Sequence, residues 1–182
     1  KKYLNFKNKN ILESNCGAGV LLSLLKRNSK STSGIDDDSY KNYLEQNGHN
    51  FFKNFDELII KKKKFDIILS LSELEHKFDP VGFLVKIKKV LAKSGKLVLR
   101  IPNYNNIYSF ILGDYFYKYD FRTSHNYYFS SKNLELLFGK VGFKIEKKLG
   151  FHEYDFNHLL AYISSKKRVK GYFKKIFNKK NE

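Results

Sequence analysis

Asn10-Ile11-Leu12-Glu13-Ser14-Asn15-Cys16-Gly17-Ala18-Gly19 is a short apolar run that ends on an acidic residue and breaks into a glycine-bearing turn. Val20 to Arg27 follows, with Val20, Leu21, Leu24 and Leu25 spaced to share one helical face. A strand that passes into a helix this quickly has to bend sharply. Where a ligand also approaches the backbone, glycine keeps side chains out of its way. The helix start behind the turn offers unpaired N–H groups to an electron-rich partner, and an acidic residue on the strand end suits a cationic one. Spacing separates two patterns. A dinucleotide fingerprint places glycines at the positions of Asn15, Gly17 and Val20, and only Gly17 complies. The pattern acidic-x-Gly-x-Gly-x-Gly falls on Glu13, Asn15, Gly17 and Gly19, and departs only at Asn15. Asparagine is the non-glycine residue that best tolerates a positive φ.

Outward from this turn, short apolar runs alternate with helical stretches, the order of a parallel sheet covered by helices. Thr32 to Ile35 reads as the second strand, ending at Asp36-Asp37-Asp38. An acidic side chain there, about 20 residues past the turn, is placed to accept both hydroxyls of a ribose. The aspartate run also suits a helix N-terminus favoured by the dipole. The two readings are compatible, with Asp36 on the ligand and Asp38 near the cap. Ser39 to Asn47 reads as helix stopped by Gly48, Asn50 to Phe52 as a third strand, and Asp56 to Ile60 as a short helix. Phe65 to Ser70 is apolar on both faces, as a buried parallel strand should be.

Ser70-Leu71-Ser72-Glu73-Leu74-Glu75-His76 follows that strand, so it sits at the carboxyl edge near the point where the strand order reverses. His76 is either a loop or capping histidine or a group facing a ligand. Asp79-Pro80 is an N-cap with proline at the first helical position. The helix it opens runs from Pro80 to Leu91, with Phe83, Leu84, Ile87, Val90 and Leu91 inside and Ser94-Gly95 closing it. Lys96 to Ile101 is the next strand, ended by Pro102-Asn103. Tyr104 to Phe129 is rich in tyrosine and phenylalanine and long for a plain connection. Ser130 or Ser131 caps a helix through Lys140, and Gly142 to Leu149 reads as a further strand. His158 to Ser164 fits either a strand or a helix. These elements predict a single α/β domain over residues 1–165, a Rossmann-like, mostly parallel twisted sheet with helices on both faces, followed by a basic tail over residues 166–182.

With 182 residues, 42% of them hydrophobic, the chain can bury one core. No window reaches the roughly 18 apolar residues of a membrane span, and no secretory signal pattern is present. One cysteine excludes an internal disulfide framework and suits a reducing compartment, so a soluble cytoplasmic protein is expected. The chain has no methionine and begins with Lys1, so an initiator and a preceding segment are expected beyond it. The formal charge of +17 invites nucleic acid as a partner. Only four of the 35 basic residues are arginine, however, the side chain whose fork serves phosphate and base recognition. Lysine, asparagine, isoleucine and phenylalanine are abundant together, the mark of A/T-rich coding. The tail, with Tyr172, Phe173, Ile176 and Phe177 among its lysines, suits either weak contact with an acidic membrane surface or a frayed terminal helix. No Cys/His set has zinc spacing and no Ser-His-Asp arrangement stands out, so neither a metal nor a hydrolytic triad is expected.

From Ile11 to Phe143 the order of motifs resembles the class I S-adenosylmethionine-dependent methyltransferases, in particular the group that includes the ubiquinone-pathway O-methyltransferases. The resemblance rests on Ile11 to Gly19, on Gly34-Ile35-Asp36, and on Phe65-Asp66-Ile67-Ile68 leading to Leu74-Glu75-His76. It continues through Asp79-Pro80 with Phe83-Leu84, Leu91 with Ser94-Gly95, Ile101-Pro102-Asn103, His125, Phe129-Ser130 and Gly142-Phe143. Tyr115 to His125 and Asn157-His158 are more loosely similar to methyltransferases of surface-polysaccharide biosynthesis. The chain departs from the group at Asn15, where glycine is usual, and at Ser94, where Gly-Gly is usual.

The resemblance implies in-line transfer of a sulfonium methyl group to a small-molecule acceptor, with a saccharide or sugar nucleotide as the class suggested. It implies S-adenosyl-L-methionine as cofactor, bound by Glu13, Asn15, Cys16, Gly17, Gly19, Asp36, Asp37 and Leu71. An oxygen acceptor also needs a base, and His76 and His125 are the two catalytic candidates. A histidine in the aromatic insertion equally suits a hydrogen bond to a backbone carbonyl. Tyr104, Tyr108, Phe116, Tyr117, Tyr127 and Tyr128 suit a wall for a sugar face or the packing of a lid. Two further readings stand beside this one. An RNA methyltransferase needs a contiguous basic face beside the methyl site. A cofactor-binding relative without turnover fits Asn15 and the short N-terminus.

Overall fold

Five apolar runs become the strands β1 (Asn10–Ser14), β2 (Ser31–Ile35), β3 (Asn50–Phe52), β4 (Phe65–Leu71) and β5 (Leu91–Arg100) of one sheet. The computed structural model that shows this describes residues 4–114, 116 and 122–150. The strand order is β3-β2-β1-β4-β5, and all four pairings are parallel. Ile11 lies opposite Thr32 and Ile67, and Leu12 opposite Ser33 and Ile68, so β1 is the central strand of the Rossmann-like arrangement. Four helices connect the strands: α1 (Val20–Lys26), α2 (Lys41–Gln46), α3 (Phe55–Ile60) and α4 (Pro80–Val90). Right-handed crossovers put α1 and α2 on one face and α3 and α4 on the other. Leu21 and Leu25 of α1 pack on Ile11, Ile67 and Leu69, while Leu12 and Ile68, on the alternate face, are fully buried. Phe55 of α3 meets Phe83 of α4 edge to face at 5.6 Å. The order reverses between β1 and β4, whose connections leave in opposite directions and open a crevice at their carboxyl ends.

Two expectations are corrected. The inner face of α1 is Leu21, Leu22 and Leu25, not Val20 and Leu24, which are 71% and 73% exposed. Both sets have helical spacing, and only the neighbouring strands decide between them. Second, α4 ends at Val90 and β5 begins directly at Leu91. Leu91 lies opposite Phe65 and Lys96 opposite Ile67, so Ser94-Gly95 belongs to a bulge in β5 and does not cap the helix. Residues 143–150 form no helix, and no ladder with other described residues.

The chain divides into two compact units, the first made of Lys1–Pro102 with Asn126–Phe129 and the second of the remainder. In the second, α5 (Ile107–Leu112) is capped by Asn106, whose side chain accepts the Ser109 N–H at 3.0 Å. The helix α6 (Ser131–Val141) is capped by Ser130, which accepts the Asn133 N–H at 3.2 Å. It ends at Gly142 (φ 75), where the Gly142 and Phe143 N–H groups close on the carbonyls of Gly139 and Phe138. Phe143 and Phe138 seal that turn edge to face at 6.3 Å. The residue expected to open a strand is therefore a helix terminator. Tyr115, Tyr117, Asn157, His158 and the tail over 166–182 lie outside the described residues, as does the side chain of Tyr108.

Candidate functional site

After Ser14 the chain bends through Asn15 (φ 58), Gly17 (φ 52) and Gly19 (φ 68). The Asn15 and Cys16 N–H groups both donate to the Ile35 carbonyl, at 2.9 and 3.3 Å, tying the turn to the end of β2. Asn15 thus holds the left-handed backbone of the glycine it replaces. A Cβ on Gly19 would lie 2.6 Å from Leu44 Cδ2, so α1 packs on α2 only with glycine there. A Cβ on Gly17 would meet nothing within 4 Å, which leaves that side of the turn open to a ligand.

Asp36, one residue past β2, closes the turn. Its Oδ2 accepts the Gly17 N–H at 2.6 Å and its Oδ1 the Asp37 N–H at 2.8 Å. Each oxygen retains a lone pair for a further donor. The Asp37 carboxylate accepts the Ser39 N–H at 2.9 Å, a bond that holds its pKa below the usual carboxylate value. Asp37 is therefore the N-cap of the 3-10 turn Asp38–Tyr40, with Asp38 next to the cap. The extended backbone a cap requires falls on Asp37 (φ −62, ψ 147), and Asp38 pairs instead with Lys53 at 2.8 Å.

Glu13 is 7% exposed and its Oε2 has no hydrogen-bond partner among the described residues. Burial first, and then the Asp36 carboxylate, push its pKa up to about 7. Burial and the same two carboxylates push the Cys16 thiol up to about 12. His49, which sequence reasoning passed over, stands behind the turn with Nδ1 2.7 Å from Thr32 Oγ1 and Nε2 3.0 Å from Ser23 Oγ. Burial, then Lys26, lowers its pKa, so a neutral ring links α1 to β2 under the glycines.

The turn after β4 is built differently. Leu71 ends the strand half-buried, and Ser72 (φ 56) donates its N–H to the Arg100 carbonyl at 2.8 Å. The buried Glu73 carboxylate accepts the Ser14 hydroxyl at 2.5 Å and the Ser70 hydroxyl at 2.9 Å, and pairs with Lys77 at 2.8 Å. It staples the ends of β1 and β4 where they diverge. Glu75, on the 3-10 turn Leu74–His76, is 1% exposed, and neither carboxyl oxygen has a hydrogen-bond partner among the described residues. Burial raises its pKa. His76 is half-buried on the same turn.

Residues 126–129 hold this turn in place. The Asn126 and Tyr127 N–H groups donate to the Glu75 carbonyl at 2.8 and 3.1 Å. Asn126 Nδ2 donates to the His76 carbonyl at 2.7 Å, and the Tyr127 hydroxyl to the Phe78 carbonyl at 3.1 Å. His125 lies in the second unit, where its N–H donates to the Arg122 carbonyl at 3.0 Å. Of the aromatic wall, Tyr127 and Tyr128 belong to the first unit, and Tyr104 and Phe116 to the second. Glu73 and Glu75 were quoted in the sequence but given no role. The available signal was two acids directly behind a strand buried on both faces.

Comparison with known proteins matches residues 1–148 to a family described as "Methyltransferase domain". The ubiquinone biosynthesis O-methyltransferase of Coxiella burnetii is 26% identical over 138 residues, covering 70% of this chain and 59% of that protein. The chain thus spans less than two thirds of that relative. A tRNA U34 carboxymethyltransferase of Ectopseudomonas mendocina is 33% identical over 107 residues, covering 53% of this chain and 33% of that one. Among solved structures, an S-adenosylmethionine-dependent methyltransferase from Archaeoglobus fulgidus shares the fold with a TM-score of 0.58 at 20% identity, over 89% of this chain and 79% of that one.

Proposed function

Because the chain belongs to the methyltransferase-domain family, we propose that it transfers the methyl group of S-adenosyl-L-methionine to a small-molecule acceptor. The observation that carries this reading is Glu13, a buried carboxyl with an unmatched oxygen on the strand that runs into the open Gly17 turn. A buried carboxyl in that state suits a cationic, N–H-bearing ligand, and the cofactor brings both an ammonium and a sulfonium. When bound, the cofactor supplies an activated methyl that the acceptor displaces in line.

The chain's own residues bind and align. Glu13 holds the ammonium group. Asp36 accepts the ribose hydroxyls, its oxygens already fixed by the Gly17 and Asp37 N–H groups. Asn15, Cys16, Gly17 and Gly19 shape the backbone beneath the cofactor, and Leu71 supplies an apolar wall at the end of β4. Asp37 acts through its N–H and its cap, not through its carboxylate. His76, at the carboxyl edge, takes the acceptor's proton, with His125 as the second candidate.

The acceptor reading follows from charge. At the carboxyl edge of the first unit the half-buried Asp36 and the exposed Asp37 follow β2, and their charge disfavours a phosphate backbone at that point. An RNA acceptor calls for a contiguous basic face beside the methyl site. The similarity of Tyr115 to His125 to polysaccharide methyltransferases supports a saccharide hydroxyl. Calorimetric titration with S-adenosylmethionine and S-adenosylhomocysteine tests the cofactor: micromolar binding is expected, weakened about a hundredfold or more by Asp36→Ala. Absence of binding to the folded chain overturns the reading. Methyl transfer from labelled cofactor to tRNA, and not to saccharides, would overturn the acceptor class alone.

A further inference from the structure

A parallel sheet gathers all of its strand starts at one edge, and in the first unit that edge is basic. Residues 61–64, all lysine, precede β4, Lys89 and Lys93 flank the start of β5, and Lys9 and Lys30 precede β1 and β2. Contacts between the loops show that they are neighbours. Lys9 Nζ is 3.9 Å from Asp66, the Lys30 N–H donates to the Lys9 carbonyl at 2.9 Å, and Lys64 Nζ donates to the Lys89 carbonyl at 2.5 Å. Two acids at this edge are engaged: Asp66 also accepts the Asn10 N–H at 2.8 Å, and Glu57 pairs with Lys61 at 2.6 Å. Lys62, Lys63, Lys89 and Lys93 are exposed. Ile60, beside the lysine run, is 79% exposed.

The geometry points to this amino edge as a docking surface for an anionic phospholipid bilayer, with the carboxyl edge turned away from the membrane. Two features favour a bilayer over a nucleic acid. Non-specific binding of single strands combines a basic groove with aromatic platforms for the bases, and among these loop residues the large exposed side chain is an isoleucine, with no exposed ring. Forked recognition of individual phosphates uses arginine, and this edge carries one, Arg27, among many lysines. A bilayer asks for neither: its diffuse negative potential attracts point charges, and a short aliphatic side chain enters the headgroup boundary. Among the described residues no helix is long and apolar enough to cross a membrane, so the contact is peripheral.

The test is co-sedimentation of the full chain with phosphatidylcholine vesicles, with and without phosphatidylglycerol. Binding is expected only to the anionic vesicles, and should fall as salt is raised. Replacing Lys62, Lys63 and Lys93 together by glutamate should weaken it at least about tenfold, and Ile60→Asp several-fold. The same charge change at the exposed Lys132, Lys140 and Lys144 of the second unit should leave it within about twofold of the parent. Glutamine in place of glutamate should give the same ranking, and unchanged melting curves show that the variants are folded. Equal losses from both triples would reduce the effect to net charge and overturn the proposal. So would parent-like binding by the first triple, or a first triple that loses polyuridylate while keeping the vesicles.

Discussion

The turns after β1 and β4 end neighbouring strands, and the carboxylates Glu13 and Glu73 buried at them are treated in opposite ways. Glu75, further along the second turn, shares the unmatched state of Glu13. Glu73 has two hydroxyls and an ammonium around it. Glu13 keeps one oxygen unmatched, and burial with Asp36 raises its pKa to about 7. A buried charge is tolerated when its partners are built in, and is otherwise a standing cost that a ligand can relieve. By that criterion Glu73 belongs to the framework, and Glu13 suits the proposed cofactor site.

The field around the first turn is felt most by Cys16, whose thiol burial and the Asp36 and Glu13 carboxylates raise to about 12. Only the thiolate is nucleophilic. Alkylation of Cys16 at neutral pH should therefore run at least about a hundredfold slower than that of an unfolded thiol, and recover on denaturation. Ordinary reactivity in the folded chain would remove the asymmetry between the two turns. Next in size is Glu73→Ala, which strands Lys77 and the Ser14 and Ser70 hydroxyls and should cost about 3 kcal/mol in denaturant unfolding. The matching change at the other turn has the opposite character. Glu13→Gln should leave stability at pH 8 unchanged or raised by roughly 1 kcal/mol, while weakening S-adenosylmethionine about tenfold to thirtyfold. If both variants lost stability alike, the division between framework and site would fail.

How much of this was legible beforehand varies with the range of the interaction. The strands and the two turns follow from local pattern, and Asn15 was read as a residue able to hold the positive φ it adopts (58°). The inner face of α1 was not legible, because Val20-Leu24 and Leu21-Leu25 have the same helical spacing and only packing against Ile11, Ile67 and Leu69 chooses between them. The end of α6 was not legible for a related reason: a glycine followed by an apolar residue can open a strand or close a helix, and Phe143 closes one on Phe138. At the site, the glycine turn and Asp36 were readable from spacing. The roles of Glu73 and His49 were not, since each depends on hydroxyls from strands distant in sequence, Ser14 for one and Thr32 for the other.

The smallest effect is also the most specific to Glu13. An unfolded glutamate loses its proton near 4.5, whereas the folded chain holds this one to about 7. Between those values the folded state carries the extra proton, so the group's contribution is intact below about 4.5 and stability declines as pH rises toward 7. A cationic ligand draws the other way, because it binds the ionised carboxylate and lowers the pKa again. Affinity for S-adenosylmethionine should thus increase roughly tenfold between about pH 5.5 and 7.5, with a proton released on binding. Calorimetry in buffers of different ionisation enthalpy measures that proton. Glu13→Gln should flatten the pH profile and abolish the release, whereas Glu73→Gln should preserve both. A parent profile that is already flat, with no proton released, would mean that the unmatched oxygen of Glu13 does not meet the cation, and the contrast between the two turns would then be one of stability alone.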